Sequence, residues 1–264
     1  VKVDGLIAIV TGASSGIGAA TAVRLAERGA TVVGVARRED RLTETIAVCQ
    51  KHNPACITHA GDVAQRAFAG EVVADAQARF GRVDILVNNA GISPAEDPVH
   101  HAADDVEAIM GVNFFGPIYL ADAVLPGMVA RGRGSIVNVT SVSGYVPTPG
   151  EPAYGASKAA LSRWSHGLAV ELHGTGVHVG VLSPGPIDTE IWEHTGNEYS
   201  GKLYPATVVA DGVVHMIEKQ LVHLTVPRRF GAVGAMYPLV GRPLRWGLRR
   251  YAAAEAKRPN ASSS

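Results

Sequence analysis

Tyr154 and Lys158 stand four residues apart, the spacing that puts two side chains on one face of a helix. A free tyrosine titrates near ~10, too high for an efficient base at neutral pH. A lysine ammonium beside it favours the phenolate and lowers that value. Such a pair suits giving a proton to, or taking one from, an oxygen whose carbon gains or loses a hydride. A second stretch of chemical interest is TGASSGIG at residues 11–18. A nucleotide pyrophosphate is an anion that needs donors with no bulky side chain in the way. Gly12, Gly16 and Gly18 let a backbone come close, and a helix opening near Gly16 offers free N–H groups and the positive end of its dipole.

These residues need elements to hold them. Short β-branched runs alternate with longer helical stretches along the chain. Leu6 to Val10, Thr31 to Ala36, Ala55 to Ala60, Val83 to Val87, Ser135 to Val139, Val177 to Leu182 and Leu221 to Val226 read as strands. Helical spacing covers Ile17 to Arg28, Arg41 to Lys51 and the regions near 64–80, 102–130, 154–172 and 206–219. Strands that are continuous apolar runs are buried on both faces, and alternating helices supply the crossovers of a parallel sheet. The expected fold is α/β: a doubly wound, Rossmann-like single domain over 1–258, with about seven parallel strands flanked by helices. The glycine turn thus sits between a buried strand and a helix, where it is far more telling than a glycine string alone. The tail 259–264 (NASSS and the residue before it) reads as disordered.

Composition narrows the classes. Of 264 residues 47% are apolar and 18% charged, enough for a sizeable core and against general disorder. Lys plus Arg balance Asp plus Glu at 24 each, which gives no global attraction to nucleic acid. Cys49 and Cys56, with six residues between them, match neither a zinc spacing nor a redox pair. The ten histidines show no metal-binding spacing, so no metal is expected. Nothing at the start reads as a secretory signal, and no run reaches the ~18 apolar residues of a membrane span. The default is a soluble cytoplasmic protein.

The TGxxxGxG spacing resembles that of the short-chain dehydrogenase/reductase family. Further motifs follow in the family's order: NNAG at 88–91, Asn113 in the next helix, Ser141, YGASK at 154–158 and PGPIDT at 184–189. Together they cover most of residues 5–190. The resemblance implies that Tyr154 is the general acid/base and that Lys158 lowers its pKa and holds the nicotinamide ribose. It implies that Ser141, thirteen residues upstream of Tyr154, hydrogen-bonds the substrate oxygen, and that Asn113 positions a water linking Lys158 to a proton relay.

For the cofactor, the resemblance implies contacts from Gly12, Ser14, Ser15, Gly16, Ile17 and Gly18 in the first turn. Asn89, Ala90 and Gly91 would lie along it, while Asn88 braces the central sheet. Asp62 and Val63 would meet the adenine; Asp62 as a helix N-cap is an equal reading and compatible with it. Pro184, Gly185, Ile187 and Thr189 would serve the nicotinamide side. The second strand ends in Ala36-Arg37-Arg38 without the acid that favours NAD. A guanidinium can instead grip a 2′-phosphate through paired charge-assisted hydrogen bonds. Arg37 holds the position that contacts this phosphate in similar proteins, and Arg38 is a second contact, so NADP(H) is favoured over NAD(H). Ser15 stands where many NADP-preferring relatives carry a basic residue.

The substrate side is less legible. Residues 186–204 occupy the place of the family's variable substrate loop, where Trp192, Tyr199 and Tyr204 suit an apolar pocket or ordinary packing. Tyr145 is another candidate for the substrate side. These aromatics suggest an apolar small-molecule carbonyl or secondary alcohol. The basic and aromatic extension over 227–251 reads as a lid or oligomer contact, and as a second choice a peripheral membrane contact. Family members usually pair through the helices near 102–130 and 154–172, so a homodimer or homotetramer is expected; Ala156, Ala159, Ala160 and Leu161 would allow close packing there. The leading reading is an NADP(H)-dependent oxidoreductase. Its rivals are a catalytically silent NADP(H)-binding regulatory or scaffold protein, which should have lost Tyr154, Lys158 or Ser141, and an NAD-dependent alcohol dehydrogenase. Epimerase or dehydratase chemistry on a nucleotide sugar would need a further domain.

Overall fold

Seven buried or half-buried runs pair edge to edge as parallel strands, in the computed structural model, which describes residues 1–94, 103–191 and 201–231. They are β1 (Ile7–Thr11), β2 (Thr31–Ala36), β3 (Ile57–Ala60), β4 (Ile85–Asn88), β5 (Gly134–Val139), β6 (Val177–Pro184) and β9 (His223–Val226). Their order is β3-β2-β1-β4-β5-β6-β9. A small parallel pair, β7 (Ile187–Asp188) with β8 (Tyr204–Pro205), stands apart from the sheet and was not expected from the sequence. Ile187 and Tyr204 face each other in that pair, tying the loop after β6 to the start of the last helix.

Helices cover both faces, as the alternating pattern requires. α1 (Gly16–Glu27), α2 (Glu39–Gln50) and α7 (Ala206–Lys219) lie on one side, where Leu25, Leu42, Ile46, Val213 and Ile217 share a core with Ala8, Val10 and Val32 of the sheet. On the other side α3 (Arg66–Phe80), α5 (Gly116–Ala130) and α6 (Pro152–Glu171) pack Val72, Leu120, Val124 and Met128 against Ile9, Leu86 and Ile136. The observed elements match the expected ones within two residues at most ends. The long helix near 102–130 is the exception. It consists of α4 (Ala103–Met110), a π-helical turn at Gly111–Phe115 and α5. This 28-residue stretch, with an 18-residue window of mean hydropathy 1.5, is long and apolar enough by composition to cross a membrane. It is nonetheless a core helix here, with Ile109, Val112, Leu120, Ala121, Val124 and Met128 all buried.

Two polar devices brace the layers. Asn88 at the end of β4 donates to Asn138 Oδ1 of β5 at 2.8 Å, and Asn138 donates to Ser165 of α6 at 2.7 Å. Asp84, 4% exposed, accepts from the Ile7 N–H at 3.0 Å and from Arg82 at 2.8 Å. Cys49 and Cys56 are both buried and free, and burial pushes the Cys49 thiol up to about 12. The extension calls for residues beyond Gly231, the tail 259–264, and Trp192 and Tyr199 of the substrate loop lie outside the described residues.

Candidate active site

Because every strand of the sheet runs the same way, Thr11, Asn88, Val139 and Pro184 all end at one edge. The strand order reverses between β1 and β4, and in open α/β sheets ligands bind beyond the carboxyl ends of the strands at such a switch point. The glycine-rich turn lies there. Gly12 and Gly16 have φ of +68° and +52°, the left-handed region that glycine enters freely. A Cβ on Gly12 would come within 2.8 Å of Asn89 Nδ2, and one on Gly16 would lie 3.0 Å from Thr189 Cγ2. A Cβ on Gly18 would run into the Gly12 carbonyl oxygen. The turn is thus pinned between the NNAG stretch and Thr189, at the head of α1, whose first-turn N–H groups and positive dipole end suit a pyrophosphate. These residues fit a dinucleotide.

Thr11, absent from the candidate residues of the sequence, holds this arrangement together. Its hydroxyl oxygen accepts from the N–H groups of Asn89 at 2.9 Å and Ala90 at 3.0 Å, and Asn89 Nδ2 donates to the Thr11 carbonyl at 3.0 Å. Gly91 comes next; a Cβ on it would lie 3.3 Å from Lys158 Nζ and 3.4 Å from Asn113 Oδ1. The stretch that borders the glycine turn therefore also borders two of the four candidate catalytic residues.

The four converge. Tyr154 and Lys158 occupy the first turns of α6, and Lys158 Nζ lies 5.7 Å from the centre of the Tyr154 ring. Lys158 is 3% exposed, donates to the Val139 carbonyl at 3.1 Å, and is lowered by its burial to about 8. Burial holds the Tyr154 phenol well above its ordinary value; the nearby Glu151 carboxylate pushes the same way, and a hydrogen bond with Ser141 opposes them. Ser141 sits just after β5 and caps a short 3₁₀ turn at Val142–Gly144, its Oγ accepting from the Ser143 N–H at 3.1 Å. Asn113, fully buried, lies inside the π turn. Its amide clasps Ile92 on both sides, accepting from the N–H at 2.9 Å and donating to the carbonyl at 3.0 Å. It also donates to Ser157 at 3.0 Å, which donates to the Tyr154 carbonyl at 2.7 Å. π turns recur at functional sites because the extra residue displaces a main-chain carbonyl from its usual partner.

Glu151, 5% exposed and just ahead of α6, is a second residue the sequence did not single out. Its signal was only an acid three positions before the tyrosine. Asp62 accepts from the Ala64 N–H at 3.0 Å in a turn ahead of α3, whose N-cap is Gln65. The helix N-cap reading of Asp62 is therefore corrected to a turn cap, because the helix begins two residues later than expected. Val63 is buried, and its main chain packs against Gly116. Tyr145 turns inward: its hydroxyl meets Ser183 at 3.0 Å and Ser162 at 3.2 Å, and its ring lies 5.8 Å from that of His223. Those partners tie it to β6, α6 and β9.

At the other end of the site the two arginines differ. Arg37 is exposed and makes no hydrogen bond or ion pair with the described residues. Arg38 reaches over the glycine turn, donating to Ser15 Oγ at 2.7 Å and Ser14 Oγ at 3.4 Å, and pairs with Glu190 at 2.8 Å. Arg41, also overlooked in the sequence, holds the other oxygen of Glu190. Beyond Thr189, Phe230 packs on Gly185, and Arg229 stacks over Tyr204 at 5.0 Å. Among the described residues no group of three or more His, Cys, Asp or Glu is placed to hold a metal.

Residues 6–200 match the family model described as short chain dehydrogenase. An NADP-dependent 3-hydroxy acid dehydrogenase of Salmonella typhi is 37% identical over 207 residues, 76% of this chain and 82% of the relative. The crystal structure of L-sorbose reductase from Gluconobacter frateurii, complexed with NADPH and L-sorbose, superposes with a TM-score of 0.78 at 30% identity, covering 84% of this chain and 95% of that one. A 3-ketoacyl-(acyl-carrier-protein) reductase from Brucella melitensis, complexed with NADH, gives 0.78 at 26% identity over 85% and 97%.

Proposed function

The chain belongs to the short-chain dehydrogenase family and is an NAD(P)-dependent oxidoreductase, and we propose that it reduces the carbonyl of a small, apolar substrate with NADP(H). The observation that carries this reading is the convergence of Ser141, Tyr154, Lys158 and Asn113 beside a glycine cradle over which Arg38 extends. Gly12, Ser14, Ser15, Gly16, Ile17 and Gly18 would hold the phosphates and adenosine ribose, Arg38 with Arg37 the 2′-phosphate, and Asn89, Ala90, Gly91 and Thr189 the span towards the nicotinamide. The nicotinamide, when bound, supplies or accepts the hydride.

The chain's own groups handle the proton. Tyr154 keeps its proton at neutral pH, since burial and the Glu151 charge both disfavour the phenolate. It is therefore set to donate to a substrate oxygen as negative charge builds there. Ser141 holds that oxygen with a second hydrogen bond, and Lys158, protonated below about 8, stabilises the phenolate left behind. Asn113 holds the π turn against Ile92, where it would position the water that returns a proton through Lys158. A resting phenol is the form competent to donate a proton in reduction. The NADP-dependent relative from Salmonella and the NADPH complex of the sorbose enzyme support the phosphate-bearing cofactor; the NADH complex of the ketoacyl reductase is the counterexample.

Titration of the purified protein with NADPH and NADH, followed by nicotinamide fluorescence, tests the cofactor assignment. Tighter NADPH binding that falls selectively by about tenfold or more in Arg38→Ala, as expected for a lost charge-assisted pair, supports it. Equal or tighter NADH binding overturns it.

A further inference from the structure

Glu190 follows Thr189 directly, so the loop that borders Gly16 also delivers a carboxylate to the ribose end of the cradle. That carboxylate is divided between two cations. Arg38 Nη1 donates to Oε2 at 2.8 Å, and Arg41 Nη1 donates to Oε1. The same Arg38 guanidinium donates to the hydroxyls of Ser15 and Ser14. Two guanidinium groups therefore meet around one anion at the mouth of the glycine turn, and one of them also donates to two hydroxyls there. These are surface groups, with side chains 34% exposed for Glu190, 44% for Arg38 and 46% for Arg41. The pairs contribute little to folding for that reason, and their position points to binding instead.

A ribose 2′-phosphate is the anion that the Arg38 assignment above brings to the same donors. It offers three acceptor oxygens and nearly two negative charges, and the Arg38 and Arg41 N–H groups that hold Glu190 are not free for it. We propose that Glu190 is a specificity-determining residue, whose carboxylate competes with the cofactor's 2′-phosphate for Arg38 and Arg41. A 2′-phosphate must displace it, whereas a cofactor with a free 2′-hydroxyl leaves the Arg38–Glu190–Arg41 clasp in place. Glu190 thus narrows the gap between the two cofactors that the arginines alone would open, and Arg41 is a further cation of the phosphate seat, beside Arg38 and Arg37. Like charge gives the competition its direction: a carboxylate that stays beside the phosphate repels it, and one that leaves gives up both pairs. The inference rests on the placement of the 2′-phosphate at Arg38.

The test is calorimetric titration of wild type, Glu190→Gln and Glu190→Ala with NADPH, NADH and adenosine 2′,5′-bisphosphate, which carries the 2′-phosphate without nicotinamide. Removing the charge should tighten NADPH and the bisphosphate by about fivefold to tenfold, the worth of one or two exposed pairs, and leave NADH unchanged. Adding Arg41→Gln to Glu190→Gln should cancel part of the gain. Unchanged or weaker NADPH binding in both variants, or an equal gain for NADH, overturns the proposal. The cofactor reading fails separately. A wild type that prefers NADH, with variants that gain NADPH, upholds the role of Glu190 and sinks the NADP preference. A wild type that prefers NADPH, with variants that do not change, does the reverse.

Discussion

Tyr154 and Lys158 titrate in opposite directions from their ordinary values, and one cause serves both. Burial disfavours the charged form, so it raises the phenol and lowers the ammonium, the latter to about 8. Proximity alone would have led to the opposite expectation for the tyrosine, a phenol drawn down by the lysine. The difference comes from screening the hydroxyl from water and from Glu151, a buried acid whose position near the ring no sequence spacing announces. Glu151 therefore adds to burial in holding the Tyr154 phenol up. In Glu151→Gln the negative charge is gone, the phenolate is favoured, and the tyrosine titrates lower. The alkaline rise of the alcohol-oxidation rate should then move to lower pH, by roughly half a unit to one unit for a charge pair near a protein surface. A pH–rate profile of the variant that is unmoved, or moved upward, would show that the carboxylate does not act on the tyrosine.

At the scale of elements, the site depends on how four strand ends are tied to one another. The hydroxyl of Thr11 on β1 receives both N–H groups that follow β4, those of Asn89 and Ala90. Valine has the same shape and no acceptor. Thr11→Val should therefore leave two donors unpaired, cost about 1–3 kcal/mol, lower the melting temperature by several degrees and weaken cofactor binding. An unchanged melting temperature and affinity would show that Thr11 does not hold the strand ends together. The elements themselves were largely legible: β2 over Thr31–Ala36 and α7 over Ala206–Lys219 fall where continuous apolar runs and helical spacing put them. The π turn was not legible. It widens the helix where Asn113 clasps the main chain of Ile92, 21 residues away, and local periodicity holds no record of so distant a partner. The same reason hid β7 and β8, whose two-residue runs are too short to carry a pattern.

For the whole molecule, the parallel sheet gathers residues from distant parts of the chain at one edge. The motifs marked out the residues, and topology explains why Gly12, Gly91, Ser141, Tyr154 and Thr189 are neighbours. What the motifs left out are contacts between groups far apart in sequence and free of any pattern. Arg38 and Glu190 are 152 residues apart, and the inward turn of Tyr145 depends on Ser183 and Ser162. Through that same edge the fold puts a half-buried, protonated tyrosine next to a dinucleotide cradle. The most direct measurement is single-turnover oxidation of bound NADPH with a panel of apolar ketones and aldehydes, for wild type and Tyr154→Phe. Wild type should turn over, and Tyr154→Phe should lose about 10²–10⁴-fold as general acid catalysis disappears, with NADPH affinity close to that of wild type. Turnover retained in Tyr154→Phe would show that Tyr154 is not the general acid.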